Sequence, residues 1–420
     1  MSTLRSRLMF GLIFFGSVLS LRAGESVLRW TGEVRVRSEL DGRDFRSHTP
    51  ANAYTLLRTR LGVEISPMEN VHVFMTIQDA RVFGEERSGS AFSTIANTKN
   101  VDLLLGYVRI DDLFADGLSM SVGRMGLSYG NERMIGTVGW NNVGRAFDGV
   151  LFRLSDDAST VDLFVTSIGE TNVPVNVATP LTVASASDSG GLFSGLYYSL
   201  RTESQRQYDV YLLHEWDRRQ STPGDFDMSR FTAGTFLRGV FDQVRYEGEF
   251  AFQFGTRQGD NIAAYLLSGS IGYIFGQEGV ASVGMGFDYL SGTPLSSSDP
   301  SSFEPAFHTG HKFYGFMDYF ISIPTNTFGR GLQDMYVELL LKPFAASSIV
   351  VRAHNFMLAE PWSGQRDLGQ ELDVVGIFDY NEHVAFEAGA STFIPATVMR
   401  AWFNGADAAW WGYLTTRVWF

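Results

Sequence analysis

Residues 241–254, FDQVRYEGEFAFQF, alternate between two chemistries. Val244, Tyr246, Gly248, Phe250, Phe252 and Phe254 share one parity, while Gln243, Arg245, Glu247, Glu249 and Gln253 share the other. Successive side chains of a β-strand point to opposite faces, so this segment has one apolar and one charged face. The division recurs in YTLLRTRLGVEI (54–65), where Leu57, Thr59, Leu61, Val63 and Ile65 oppose Arg58, Arg60 and Glu64. It recurs again in DMYVELLLK (334–342), where Met335, Val337, Leu339 and Leu341 oppose Asp334, Tyr336, Glu338 and Lys342. One such strand fits any half-buried sheet. A whole chain of them, each about 9–11 residues long, predicts a transmembrane antiparallel β-barrel.

Segments of this period fall near 28–40, 54–65, 71–82, 100–111, 118–129, 145–155, 160–169, 191–200, 206–217, 229–239, 242–255, 261–275, 280–290, 332–342, 347–358, 370–380, 383–394 and 409–420. That makes an all-β chain of about 18 strands, an even number as single-chain bacterial barrels have. The connections SPMEN, FADG, SDDAS, GVFD, FGQEG, PFAAS and YNEH are short, whereas 41–53, 83–99, 130–144, 170–190, 218–228, 291–331 and 395–408 are long. Short periplasmic turns alternating with long extracellular loops suit a barrel with both chain ends in the periplasm. The 44 Gly, 34 Phe, 16 Tyr and 8 Trp, beside 12 Pro and no Cys, fit many strands joined by glycine-containing turns without disulfides.

The first residues read as a cleaved signal peptide. Arg5 and Arg7 precede an apolar run from Leu8 to Leu21, with cleavage expected after Ala23, leaving 24–420 as a single outer-membrane barrel domain. Residues 1–23 hold three arginines and no acid, so the remainder carries −16 where the whole chain carries −13. That acidity argues against nucleic acid as a partner. No later apolar run reaches the roughly 18 residues of a membrane helix.

In the last segment, WWGYLTTRVWF (410–420), Trp410, Gly412, Leu414, Thr416, Val418 and Phe420 form one face and Trp411, Tyr413, Thr415, Arg417 and Trp419 the other. Aromatics favour the membrane interface, and pairing of this strand with the first would leave the sheet no edge. A terminal Phe on the lipid face also resembles the signal read by the bacterial barrel assembly machinery.

Charges facing lipid at depth are costly, so the charged parities should line a lumen wide enough for an aqueous channel. Glu33, Arg35, Arg37 and Glu39 belong to it, then Arg58 and Arg60, then Arg109, Arg124, Arg145 and Arg153. Asp79, Arg81 and Arg124 face inward only if a bulge shifts the parity of their strands. Later strands add Asp209, Glu215, Arg245, Glu247, Glu249, Asp334, Glu338, Arg352, Glu371, Asp373, Glu387 and Arg417. One part of the wall is therefore rich in arginine and the rest in carboxylates. Each arginine has two readings, as partner of a lumen carboxylate or as contact for cargo. Crowding of Arg35, Arg37, Arg58 and Arg60 on neighbouring strands would lower the barrier for an anion. The expected solute path comprises those four with Arg109, Arg124, Arg145, Arg153, Glu247, Glu249, Arg352 and Arg417.

Nothing in the sequence suggests an enzyme, a cofactor or a metal. His72, His214, His308, His311, His354 and His383 are scattered, and cysteine is absent. The GxSxG and phosphate-loop patterns are also absent.

The stretch GRMGLSYGNERMIGTVGWNNVGRAFDG (123–149), with MTIQDARVFGEE (75–86), HKFYGFMDYF (311–320) and GLQDMYVELLLKP (331–343), resembles the alginate-export family of bacterial outer-membrane barrels over nearly the whole chain. The resemblance implies a monomeric 18-stranded channel in outer-membrane lipid and lipopolysaccharide, with an arginine-rich constriction, restricting loops and periplasmic export proteins as partners. Its motifs fall on Gly123, Arg124, Tyr129, Gly130 and Arg133, and on Trp140, Asn141, Gly144, Arg145, Phe147, Asp148 and Gly149. Arg145 and Asp148, at the start of a strand, are expected to clamp loop 130–144 into the pore mouth. The carboxylates of the later strands depart from an alginate specialist. A small anion, a neutral saccharide taken up by a general porin, or an adhesive barrel acting through its long loops therefore stay open.

Overall fold

The computed structural model describes residues 21–23, 26–83, 99–169, 190–204, 206–218, 227–276 and 280–420. Residues 1–20 of the expected signal peptide lie outside the described residues, as do most of the expected loops 83–99, 170–190 and 218–228. Leu21–Ala23 pairs antiparallel with residues 26–28.

The barrel strands are β1 (Ser26–Gly42), β2 (Asn52–Met68), β3 (Val71–Val82), β4 (Lys99–Ile110), β5 (Leu118–Met125), β6 (Phe147–Ser155), β7 (Ser159–Gly169), β8 (Gly191–Arg201), β9 (Gln207–Asp217), β10 (Met228–Phe241), β11 (Val244–Arg257), β12 (Asp260–Phe275), β13 (Ala281–Leu290), β14 (Leu332–Leu341), β15 (Ser347–Trp362), β16 (Gln365–Asp379), β17 (Val384–Pro395) and β18 (Ala409–Trp419). Each pairs antiparallel with the next, and β18 closes on β1 from Trp410↔Gly42 to Trp419↔Glu33. Phe420 extends the closure by exchanging backbone hydrogen bonds of 2.9 and 3.1 Å with Gly32. The closed sheet of 18 strands matches the count expected from the sequence.

The period-two pattern sets which way each side chain points. Phe250, Phe252 and Phe254 are exposed on the outer face of β11, whereas Glu249, Ala251 and Gln253 are buried inside. Tyr265, Phe252 and Phe254 lie toward the long-loop end of the outer surface and Tyr273, Phe275 and Phe241 toward the other, the placement of interfacial aromatics. In β18, Trp410, Leu414, Val418 and Phe420 are exposed outside while Trp411 and Tyr413 are buried inside.

The alternation of short and long connections holds with two exceptions. β11–β12 and β15–β16, on the long-loop side, are joined by Gln258-Gly259 and Ser363-Gly364 alone, all four residues at positive φ. Two-residue hairpins of positive φ follow the strand twist, and glycine in the second position meets their demand.

The parity of β3 and β5 needs correction. β3 pairs with β2 in continuous register from Leu56↔Val82 to Ile65↔Val73, so Asp79 and Arg81 point outward with Met75 and Ile77. In β5, Ser121 and Met125 are buried and Val122 exposed, which puts Arg124 outside. The bulge lies in β4, where the register steps from Thr76↔Leu105 to Ile77↔Leu103 and turns Leu104 into the interior.

The long-loop half of the lumen is filled. Residues 126–146, between β5 and β6, and residues 291–331, between β13 and β14, fold into it and pack with inward side chains of the wall. Met134, Ile135, Phe303, Tyr314, Met317 and Phe320 of these segments join Phe164, Phe193, Tyr211, Phe356, Phe393 and Trp411 of the strands in one apolar cluster.

Candidate functional site

Five arginines occupy one sector of the wall. Arg417 on β18 lies opposite Arg35 on β1, and Arg35 lies opposite Arg58 on β2. Arg37 and Arg60 stand two residues from them on their strands. Arg58 pairs with Glu33 and Arg37 with Glu39, each at 2.7 Å. Arg60 donates to Gln78 Oε1 at 2.8 Å, and Arg417 covers the Trp419 ring at 4.5 Å.

The segment 126–146 crosses from this basic sector to an acidic one. At the basic end its backbone carbonyls face the guanidinium groups. Arg35 donates to Gly139 O and Asn141 O at 3.1 Å each, Arg37 to Trp140 O at 2.8 Å, and Arg58 to Gly139 O and Asn141 O at 2.8 and 2.7 Å. Asn142 donates to Leu57 O at 3.0 Å, and Gly144 N donates to Gln78 Oε1 at 3.3 Å. A Cβ at Gly144 would lie 2.7 Å from Arg60 Nη2, so a larger residue would push this guanidinium from its place. At the acidic end Arg133 reaches Asp288 at 3.0 Å and Glu249 at 3.4 Å, donates to Tyr314 Oη at 3.1 Å and covers the Phe313 ring at 4.1 Å. Asn131 donates to Glu247 at 2.6 Å. The crossing is thus matched to both walls, carbonyl oxygens toward arginine and a guanidinium toward carboxylates.

The second segment docks on the first. Ile135 and Phe307 form a parallel bridge, flanked by Gly136 N donating to Phe307 O at 2.8 Å and Thr309 N to Glu132 O at 3.0 Å. Trp140 stacks on His311 at 3.9 Å, with Arg37 over its ring also at 3.9 Å, and His311 bonds Asp318 at 2.8 Å. On the acidic wall Met317 N donates to Glu371 at 2.8 Å, while Asp334 holds His354 at 2.9 Å. A cleft of about 240 Å³ between the two segments is lined by Arg145, Glu304, His308, His311 and Asp318 among others. Burial pushes His308 down to about 4 and Arg145 down to about 10.

Arg35, Arg37, Arg58 and Arg60 come together as their spacing implied, but buried beneath or beside the crossing segment. Arg145 does clamp it, donating through Nη1 to the carbonyls of Gly136, Phe307 and His308. Asp148 does not. It lies on the outer face and pairs with Arg124 at 2.6 Å, so neither residue enters the lumen. Arg109 pairs with Asp111 at 3.0 Å, and Arg153 forks onto Asp162 at 2.7 and 2.6 Å. Arg352 and Arg245 share Glu338 at 2.5 Å each. Glu249 accepts from Tyr211 at 2.9 Å.

Sequence reasoning missed Arg133 as the tie to the acidic wall. It also missed a ladder of Tyr129, Tyr197 and Tyr211, whose rings stack at 4.3 and 5.4 Å and whose hydroxyls donate to Asp162, Asp209 and Glu249. Tyr197 and Tyr211 share the inward parity of their strands, the one signal available.

A closed, outwardly apolar barrel of this size with a charged, loop-filled lumen defines the class as an outer-membrane porin channel. The chain belongs to the Alginate export family, which matches residues 27–402. No curated protein sequence matches it. Among solved structures it is similar to OccK11 (OpdR) of Pseudomonas aeruginosa, at 11% identity and TM-score 0.60 over 93% of this chain and 96% of that one. A BenF-like porin from Pseudomonas fluorescens Pf-5 aligns at 9% identity and TM-score 0.60, covering 94% and 98%. Pseudomonas aeruginosa OpdK, solved with vanillate, aligns at 9% and 0.58, covering 93% and 98%. At such identities these likenesses establish the fold. Together with the family they put the protein in the bacterial outer membrane.

Proposed function

We propose that the channel prefers anions and that its solute is an acidic saccharide. One observation carries the reading: Arg417, Arg35 and Arg58 stand directly opposite one another across three adjacent strands, with Arg60 beside them. Like charges in direct opposition destabilise a sheet. The carboxylates nearest these arginines on β1, Glu33 and Glu39, are taken up by Arg58 and Arg37. Among the described residues Arg35, Arg60 and Arg417 form no ion pair with any carboxylate. Their repulsion is relieved when an anion passes. Ions respond mainly to nearby charge, since the Debye length is about 10 Å in 0.1 M salt, so this sector outweighs the remote acidic surface. Arg109, Arg153, Arg352, Glu247 and Glu249 line the same lumen in this reading.

The family supports a saccharide bearing carboxylates. In the same reading the chain is a monomer inserted by the barrel assembly machinery, in contact with lipopolysaccharide and supplied by periplasmic export proteins. Current block in planar bilayers tests the solute class. An acidic oligosaccharide should block at lower concentration than a neutral one of equal length, and equal block refutes it.

A further inference from the structure

The basic sector already holds a set of acceptors, and they belong to the protein. Five hydrogen bonds from Arg35, Arg37 and Arg58 converge on three consecutive carbonyls, those of Gly139, Trp140 and Asn141. Asn142 Oδ1 adds a sixth, 3.3 Å from Arg35. Every one of these acceptors is neutral. A guanidinium bonds a carboxylate more strongly than an amide carbonyl, because the charged acceptor makes shorter bonds about twice as strong and fits the planar fork with both oxygens.

We infer that residues 139–142 are a built-in surrogate for the anionic cargo, and that a carboxylate displaces them from the arginines and so loosens the crossing segment. The inference rests on the anion preference proposed above. It also has a side. Arg417, directly opposite Arg35, is half-buried over Trp419 two residues from the short-turn end of β18, whereas Arg35, Arg37, Arg58 and Arg60 are buried, so a carboxylate arriving from that end meets Arg417 first. Toward the long-loop end the arginines are covered by Trp140, stacked on His311 of the second segment, and by the apolar cluster beyond. The displaced limb is short. Arg133, paired with Asp288 of the acidic wall, and the bridge of Ile135 to Phe307 hold the rest of the segment. Departure of the carbonyls also frees Trp140 from the Arg37 guanidinium on its face.

The full-length protein in planar bilayers, with sodium D-glucuronate or D-glucose added to one side at matched ionic strength, tests this. Glucuronate on the short-turn side should raise the conductance about tenfold, the equivalent of about 1.4 kcal/mol. Glucose should not, nor should glucuronate on the long-loop side. Asn142→Ala, which removes the side-chain bonds to Arg35, Leu57 O and Arg81 O, should conduct more without any acid and gain less from it. Conductance indifferent to glucuronate, or equally raised by glucose, in a channel that still prefers anions overturns the surrogate role and leaves the solute reading intact. Loss of anion preference itself removes both.

Discussion

Arg133 is the perturbation with the best-defined energetic consequence. Its guanidinium is 3% exposed and lies between Asp288 and Glu249, themselves 3% and 6% exposed, so Arg133→Ala leaves two buried carboxylates without their cation. Breaking a buried pair from one side costs about 3–5 kcal/mol, because the remaining charge is neither solvated nor paired. The lost contact with the Phe313 ring adds a cavity. Arg133→Met keeps most of the volume and should cost less. Adding Asp288→Asn to Arg133→Met should recover part of the loss by removing one orphaned charge. Urea unfolding in detergent micelles, followed by tryptophan fluorescence and by heat-dependent gel mobility, would give the midpoints. Arg133→Ala should also leak more current, since the crossing segment loses its anchor on the acidic wall. Arg133→Ala within about 0.5 kcal/mol of the unmodified protein would refute the reasoning, that being the range of an ordinary surface substitution. So would a double variant no more stable than Arg133→Met.

Two further outcomes follow from the closure and the loops. A Cβ at Gly32 would overlap only the exposed ring of Phe420, which can swing aside, so Gly32→Ala should change stability by no more than about 0.5 kcal/mol, whereas Phe420→Asp should lower the heat-modifiable fraction in membranes; unchanged mobility in Phe420→Asp would make the terminal aromatic incidental. His308, driven down to about 4 by burial from an unfolded value near 6.5, binds its proton more readily in the unfolded chain. Stability should therefore be full above about pH 6.5 and fall by up to roughly 3 kcal/mol as the pH drops toward 4. In His308→Phe that part of the acid sensitivity should vanish, and an identical pH profile of the urea midpoint contradicts the assignment.

The wall was legible in the sequence because a barrel strand states its own orientation. In 241–254, 54–65 and 410–420 one parity is mostly apolar, and its residues face outward in the structure. Strand pairing adds little to that local rule. The pattern fails where chemistry and orientation part. Arg124 reads as a lumen residue because arginine is charged, yet it sits on the outer face, satisfied by Asp148 from the neighbouring strand and by Leu103 O at 2.9 Å beside the β4 bulge. The filling of the lumen was less accessible. Segments 126–146 and 291–331 have no period, and their placement depends on partners more than a hundred residues away, such as Arg35 with Gly139 O and Arg133 with Tyr314. Arg145 was legible because its motif sits next to a strand start. The breaks at Gln258-Gly259 and Ser363-Gly364 were legible as gaps between 242–255 and 261–275 and between 347–358 and 370–380, but their two-residue length was not, because the strands run on to Arg257 and Trp362 beyond the segments read from the alternation.

The claim that arginines set the selectivity is tested most directly by reversal potential under a salt gradient. Arg60 and Arg417 are the residues to change, because neither pairs with a carboxylate among the described residues, whereas removing Arg58 would also release Glu33. The unmodified channel should prefer anions, and Arg60→Ala and Arg417→Ala should each shift the reversal potential toward zero, the double variant further still. Cation preference in the unmodified channel, unmoved by either substitution, would contradict the account while leaving the barrel as described.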